Sequence, residues 1–271
     1  MFHQLLTPVA GSLWLSFLVA TAPIVTVLGL LGIARWPAWK ASFWGLAVGL
    51  FVATLIWKTP LDIALSSTAA GATFALWPVM WIVYNALVLY NVAVRSERFD
   101  AFRRWVILRL PDDRRVVLVV IGFCFGALLE GISGFGTPVA ITSALLITLG
   151  FKPLDAVVYT LLFNTAPVAF GALGAPVTTL GAVTGLSEHT LGAMIGRQLP
   201  FLAVLLPFYA IGVYAGWAAI RALWPILLVS GGSFAVAQFV TANFVGYELT
   251  DVMSSLVSLV TSLSFLRLWS P

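Results

Sequence analysis

Long apolar runs separated by short polar segments dominate the chain. A helix that crosses the hydrocarbon core of a bilayer needs about 20 predominantly apolar residues. The pattern predicts membrane-spanning helices in the runs at residues 12–33, 41–57, 70–94, 197–217, 222–247 and 252–266. It therefore indicates an all-α polytopic membrane protein.

The composition agrees with that class. Of the 271 residues, 61% are hydrophobic and 9% are charged, whereas soluble domains carry about 25% charged residues. No Lys or Arg precedes the first apolar run, so a cleaved secretory signal is not expected there. The basic residues behind the net charge of +4 lie in short loops, and this distribution gives no nucleic-acid signal.

The polar stretch 95–115 interrupts the apolar pattern. It holds seven arginines and four acids, with apolar residues spaced among them. This composition predicts an amphipathic helix that lies on the membrane surface. Alternate loops are basic, with Arg197 as the exception, so the positive-inside rule places this stretch in the cytoplasm and the N-terminus outside.

Residues 116–150 contain two apolar arms around a tip rich in glycine. The arms, 116–129 and 139–150, have 14 and 12 residues, and at 1.5 Å per residue each reaches only about 20 Å. Because both flanks are basic, we predict a re-entrant hairpin that enters and leaves on the cytoplasmic side. Its tip supplies candidate substrate-binding residues and a helix break: Gly131, Ser133, Gly134, Phe135, Gly136 and Thr137, with the break at Pro138.

A second interruption lies inside the apolar stretch 154–186. Its segment NTAPVAFGALGAPV, residues 164–177, cannot form one continuous helix, because proline removes a backbone donor and glycine weakens a helix. We predict a broken helix here. Its binding candidates are Asn164, Thr165 and Ala166, and its breaks are Pro167, Gly171, Gly174 and Pro176.

Two interrupted segments in one bundle are the best sequence-level indication of a transporter substrate site. The N-termini of half-helices carry partial positive charge and free N–H groups, so they can hold a small anion without a basic side chain. For the hydroxyl and amide side chains at the breaks, two interpretations stay open. They hydrogen-bond the substrate, or they satisfy backbone groups that the breaks leave free.

Glu130 is the acid at the edge of the hairpin tip. A charged carboxylate is costly near the middle of a membrane, and acids within membrane segments are usually functional. We therefore predict that Glu130 couples transport to a proton. The alternative is a neutral acid that bonds to the hairpin backbone and only holds the tip together.

Five separated motifs, in the same order, resemble the L-lactate permease family of secondary transporters. They are LEGISGFGTPVAI, GFKPL, NTAPVAFGALGAP, GRQLPF and GGSFAVAQF. The resemblance implies proton symport of L-lactate and related 2-hydroxymonocarboxylates, such as glycolate and D-lactate, by a multi-pass permease of the bacterial inner (plasma) membrane.

Members of that family are longer than this chain, which resembles their first half. The resemblance implies one half of an inverted-repeat carrier, with residues 1–115 as the scaffold side, 116–220 as the substrate-site region and 221–271 as helices that lead to a missing second half. We expect this half to be inactive alone. Two alternatives stay open. The half works together with a second polypeptide, or the protein is a transporter of another small carboxylate with different ion coupling.

Two other classes fit the residues less well. A membrane enzyme would need clustered acids, histidines or a nucleotide motif. The sequence shows no such pattern, so we expect no catalytic residue, no metal and no cofactor. A channel would need a repeated pore lining and has no need of paired broken segments.

Overall fold

The computed structural model consists of helices joined by turns throughout its described part, residues 5–81, 84–85, 88, 92, 95–96, 104, 110–134 and 136–270. For Pro78, Val79, Thr137, Ala182 and Val183 it describes the backbone alone. The chain divides into two compact units, Met1–Pro78 and Val79–Pro271.

The first unit is an assembly of apolar helices with little buried core. Gly45 lets α3 approach α2 so closely that a side chain at this position would overlap Val27. Most large apolar side chains of this unit are exposed, as expected of surfaces that face lipid. Its helices are α1 Leu13–Ala20, α2 Ala22–Gly32, α3 Ala38–Phe51 with a π-helical turn Val52–Ile56, and α4 Leu61–Phe74 with a π-helical turn Ala75–Val79.

These helices confirm the first two predicted spans. The stretches Leu13–Gly32 and Ala38–Ile56 are long and apolar enough to cross a membrane. The predicted run 70–94 differs, because α4 already begins at Leu61, and much of that run beyond residue 81 lies outside the described residues. Most of the predicted amphipathic stretch 95–115 lies outside them as well, so its conformation stays a prediction.

The second unit contains a continuous helical stretch, Arg114–Ser133. It comprises α5 Arg114–Val117, the π-helix Leu118–Phe125 and α6 Gly126–Ser133. Asp113 caps its start, accepting hydrogen bonds from the Arg115 backbone at 2.8 Å and from its guanidinium. The Arg115 side chain lowers the pKa of Asp113 below its ordinary value. Seven of the eight residues of the π-helix are buried, so this stretch forms the centre of the core.

The first arm of the predicted hairpin is longer than the sequence suggested. At 20 residues, Arg114–Ser133 is long and apolar enough to cross a membrane, so the short-arm argument was wrong for this arm. The second arm, α7 Thr137–Thr148, has 12 residues, as expected. The two arms pack side by side where Gly126 faces Thr142. They form a helical hairpin, and its return to the cytoplasmic side stays a prediction.

The second interruption is a broken helix, as predicted. Helix α8 Pro153–Phe163 ends before a short 3-10 helix, Val168–Phe170, and α9 Gly171–Thr184 follows. The two halves are bent by 69°. Within the first turn of α9, the backbone is left-handed at Ala172, Leu173 and Gly174.

The C-terminal part consists of a long helix, α10 Glu188–Phe244, and a shorter one, α11 Thr250–Phe265. Helix α10 contains the two predicted runs 197–217 and 222–247 up to residue 244, and Gly216 (φ 79°) interrupts it near the end of the first run. Between the helices, Tyr247 hydrogen-bonds Glu188, so the two ends of α10 are tied together. The packing of α11 against α10 and α6 brings its first turn next to the hairpin tip.

Candidate functional site

Glu130 lies in the second unit, near the end of α6, and is 3% exposed. One carboxylate oxygen, Oε1, lies over Gly171, where an added Cβ would be 2.5 Å from it. The Asn164 side chain lies beside the carboxyl group, without the geometry of a full hydrogen bond. The other oxygen, Oε2, is buried and has no partner among the described residues. The acid thus faces the second interruption.

The two interruptions meet beside this acid. Gly134 adopts φ 57° and ψ −159°, a conformation essentially restricted to glycine. A Cβ at Gly134 would lie 2.7 Å from the Ala172 Cβ, so the hairpin tip touches the left-handed turn of the broken helix. The sequence predicted two separate breaks, and the structure brings them into one place.

Both half-helices that begin at the breaks lack a side-chain cap. Helix α7 starts after Gly136, and the right-handed part of α9 starts after the left-handed Gly174, and a glycine has no side chain that could accept a bond from the first turn. The first N–H groups of a helix have no partner within the helix and carry its partial positive charge. Such ends suit a small anion.

Asp251 also belongs to this site. It lies in the first turn of α11 and is completely buried. A Cβ at Gly131 would lie 2.9 Å from the Asp251 Cβ, so the acid packs directly against the residue that follows Glu130. Neither carboxylate oxygen of Asp251 has a hydrogen-bond partner among the described residues.

Gln238 links Asp251 to the second interruption. Its side chain is completely buried, and its Nε2 donates to the Ala166 carbonyl oxygen at 3.2 Å. The amide also lies beside the Asp251 carboxyl, without the geometry of a full hydrogen bond. The Gln238 Oε1 has no donor in the described part of the chain. The site therefore contains two acids and several unpaired oxygens away from solvent.

Residues 16–271 match the sequence family described as L-lactate permease. The chain belongs to the L-lactate permease family. It is 46% identical to the L-lactate permease of Salmonella typhimurium, over 97% of this chain and 47% of that protein. It is 48% identical to the glycolate permease GlcA of Escherichia coli K12, over 96% of this chain and 46% of that protein.

The L-lactate permease of Bacillus subtilis is 44% identical, over 99% of this chain and 47% of its own length. The chain thus spans about half the length of the curated relatives it matches. No solved structure matches it.

In this permease-family chain, the structure brings part of the predicted site together. Glu130 and Asn164 contact each other, and Gly131, Gly134, Ala166 and Gly171 lie in the contacts described above. Pro138 and Pro167 are buried next to the two turns. Phe135 and the side chain of Thr137 lie outside the described part of the structure.

Other predicted residues take no direct part in the cluster. The Ser133 hydroxyl donates to the Leu129 carbonyl of its own helix at 2.7 Å, which favours the interpretation that it satisfies backbone. Thr165 and Pro176 are exposed. Gly174 (φ 81°) packs against the Tyr247 ring, so it serves the turn and the packing.

Asp251 lies one residue before the predicted run 252–266 and was not predicted as part of the site. The acid is buried in a helix, and Gln238 was missed altogether. One signal was available. Asp251, Ser254, Ser255, Ser258 and Ser262 recur at helical spacing in an otherwise apolar segment, and all of them are completely buried. A polar face of this kind on a membrane helix points to the interior of a bundle.

Proposed function

We propose that this chain is part of a secondary carrier that moves L-lactate, glycolate and related 2-hydroxymonocarboxylates, D-lactate included, together with protons. The family membership and the names of the relatives support transport and this class of substrate. The observation that carries the proton step is the buried Glu130 beside two uncapped half-helices.

The proposed binding mode uses backbone donors for the substrate. The carboxylate of the substrate binds the free N–H groups at the starts of α7 and α9, and the Asn164 amide is available to its hydroxyl group. Two anions in a low-dielectric pocket repel each other strongly. Glu130 must therefore be protonated before the substrate binds closely, and this requirement links the movement of a proton to the movement of the anion.

Alternating access in carriers of this kind involves movement of one repeat against another around a site at their interface. We propose that residues 1–115 belong to the scaffold and residues 116–220 to the site-bearing part. The candidate site also includes Gln238 and Asp251 from the region 221–271. Because the relatives are about twice as long, we further propose that a second repeat completes the site.

We also propose that the protein resides in the bacterial inner membrane, with its N-terminus outside and the 95–115 stretch in the cytoplasm. The basic residues of alternate loops support this orientation. The length and apolarity of the helices support a multi-pass membrane protein in any orientation.

Uptake into vesicles tests the proposed function. The chain is reconstituted alone, and also joined to the unmatched half of the Salmonella typhimurium relative. An inward proton gradient is then imposed with labelled L-lactate or glycolate outside. We expect saturable uptake by the joined protein, abolished by a protonophore and not restored by a sodium gradient.

The two preparations separate the two parts of the proposal. Saturable uptake by the chain alone would contradict the need for a second repeat. Uptake that follows sodium and ignores the proton gradient would contradict proton symport. A joined protein that is folded and monodisperse but takes up neither acid would contradict the substrate assignment.

A further inference from the structure

We propose that Asp251 is the second member of a proton-binding pair with Glu130, and that the two carboxyl groups titrate as one coupled unit. The role of the pair in transport rests on the proposed function. In the carrier, the pair would set how many protons accompany each anion. The coupled titration itself does not depend on that function.

The packing of α11 on α6 brings the two acids together. An added Cβ at Gly131 would lie 2.9 Å from the Asp251 Cβ and 2.9 Å from the backbone nitrogen of Val252. Only a residue without a side chain at 131 permits this approach. The acid on each helix is therefore held within one residue of the point where the two backbones touch.

No basic side chain compensates the charge of the pair in the described part of the chain. The ion pair found there joins Arg115 to Asp113, at the other end of the stretch that leads to Glu130. The Arg197 guanidinium donates to Asn243 and faces outward. No Lys, Arg or His among the described residues forms an ion pair with either acid, so protons are the available counter-charges.

The other groups on the neighbouring helices do not replace these protons. On the π-helix, the Cys124 thiol contacts Ser258 and Ser262, farther along α11 than Asp251. Segment 171–184 of α9 contains no titratable residue. On α10, the neutral amide of Gln238 lies beside Asp251.

Two further acids near the ends of α10 face elsewhere. Glu188 is bonded to Tyr247, and Glu248 is exposed. Among the described acids, Glu130 is therefore the one that acts on Asp251 electrostatically.

Protonation accounts for the unpaired oxygens in the cluster. A carboxylate is an acceptor only, whereas a carboxylic acid has one O–H donor. A protonated Asp251 supplies an O–H donor beside the Gln238 amide, whose Oε1 lacks a donor in the described structure. Two carboxylates that share a buried site do not ionise together. One proton is then retained while the other exchanges.

Infrared titration of the carboxyl groups tests the pair without any transport assay. The 271-residue chain is placed in lipid vesicles, and the carbonyl stretch of protonated carboxylic acids is followed as the pH is changed. Difference spectra compare the unaltered chain with Glu130→Gln, Asp251→Asn and the double variant. Asp62→Asn is the control, because Asp62 is an exposed acid of the first unit.

For the unaltered chain we expect two buried-carboxyl steps, separated by more than about one pH unit. Each single variant should lose one step, the double variant both, and the Asp62→Asn control neither. One of the single variants keeps the acid that titrates at the higher pH in the unaltered chain. The midpoint of its remaining step should lie at least about one pH unit below that upper step, because the neighbouring acid no longer carries a charge.

Three results would overturn the proposal. The first is a single buried-carboxyl step in the unaltered chain, a result that does not depend on the folding of any variant. The second is an Asp251→Asn chain that keeps both steps. The third is a pair of single variants whose remaining steps keep their original midpoints, since the acids would then titrate independently. None of these results bears on whether the carrier transports lactate.

Discussion

The hairpin tip and the broken helix meet at the site, but they are built in different ways. Among the described residues of the tip, glycine supplies both positive φ angles, 57° at Gly134 and 79° at Gly136. In the broken helix, Ala172 and Leu173 hold φ angles of 48° and 55°, a conformation that costs L-residues roughly 1–2 kcal/mol each.

The chemistry differs as well. The tip follows the acid Glu130, whereas segment 164–177 of the broken helix has no ionisable side chain and offers an amide, carbonyl groups and N–H groups. The tip is thus defined by its own sequence and has an acid beside it. The broken helix depends on its neighbours for its shape and supplies backbone polarity. The predictions below test this division of roles.

The largest expected effect is an all-or-none difference in labelling. It distinguishes a hairpin that returns to the cytoplasmic side from a segment that crosses the membrane. In a Cys124→Ser background, single cysteines at Ser96, Lys152 and Ser187 are exposed to an impermeant thiol reagent on intact cells. If the hairpin returns to the cytoplasmic side, position 187 reacts, and positions 96 and 152 do not.

Position 152 decides this test. Its labelling from outside would show that the segment 116–150 crosses the membrane, as the 20-residue length of Arg114–Ser133 permits. Labelling after permeabilisation serves as the control that all three cysteines are accessible from one side or the other.

Substitution of Gly134 should have the largest effect on stability. Gly134→Ala places a side chain in a glycine-only conformation, 2.7 Å from the Ala172 Cβ, and we expect a loss of about 2–4 kcal/mol. The matched control is Gly136→Ala, because it also has positive φ but open space around it. It should lose about 1 kcal/mol. Thermal unfolding in detergent measures both, and equal losses would contradict the close contact between tip and broken helix.

A side chain at Gly171 should impair transport more than stability. Its φ of −60° is accessible to any residue, but its Cβ would lie 2.5 Å from the Glu130 Oε1. Gly171→Ala therefore displaces the carboxyl group, and we expect at least about tenfold slower uptake, equivalent to roughly 1.4 kcal/mol. Gly29→Ala, with no neighbour within 4 Å, is the control. Unchanged uptake by Gly171→Ala would argue against a role for this contact.

The smallest expected effect is a gain in stability in the broken helix. Ala172→Gly relieves a left-handed φ at a residue with a side chain, and we expect a gain of up to about 1 kcal/mol. An unfolding temperature that falls would show that the methyl group of Ala172, which touches Gly134, contributes more through packing than its backbone conformation costs.

Local rules were sufficient for Glu130 and for the two breaks. An acid in an apolar run, together with glycines and prolines that cannot continue a helix, identifies them from adjacent residues alone. The meeting of the breaks depends on tertiary packing, and no adjacent residues encode it. The same limit explains why Asp251 and Gln238 were missed, because each reaches the site from a different helix.

The length of the first hairpin arm shows a second limit. The predicted arm ends at residue 129, before Glu130, because glycine follows the acid. The helix continues through Gly131 to Ser133. At Gly131 it packs against α11 so closely that only a residue without a side chain fits. Glycine here serves close packing, a use common in membrane helices, and it does not end the helix.

The central claim is that Glu130 carries the coupled proton, and Glu130→Gln tests it most directly in the joined protein. Counterflow of labelled lactate and uptake driven by a proton gradient are measured in the same vesicles. The glutamine imitates the protonated acid, so we expect counterflow to persist while gradient-driven accumulation is lost. Glu130→Ala should lose both, because the site loses its hydrogen-bonding group. If Glu130→Gln still concentrates lactate with the proton gradient, the acid is structural and the proton moves elsewhere.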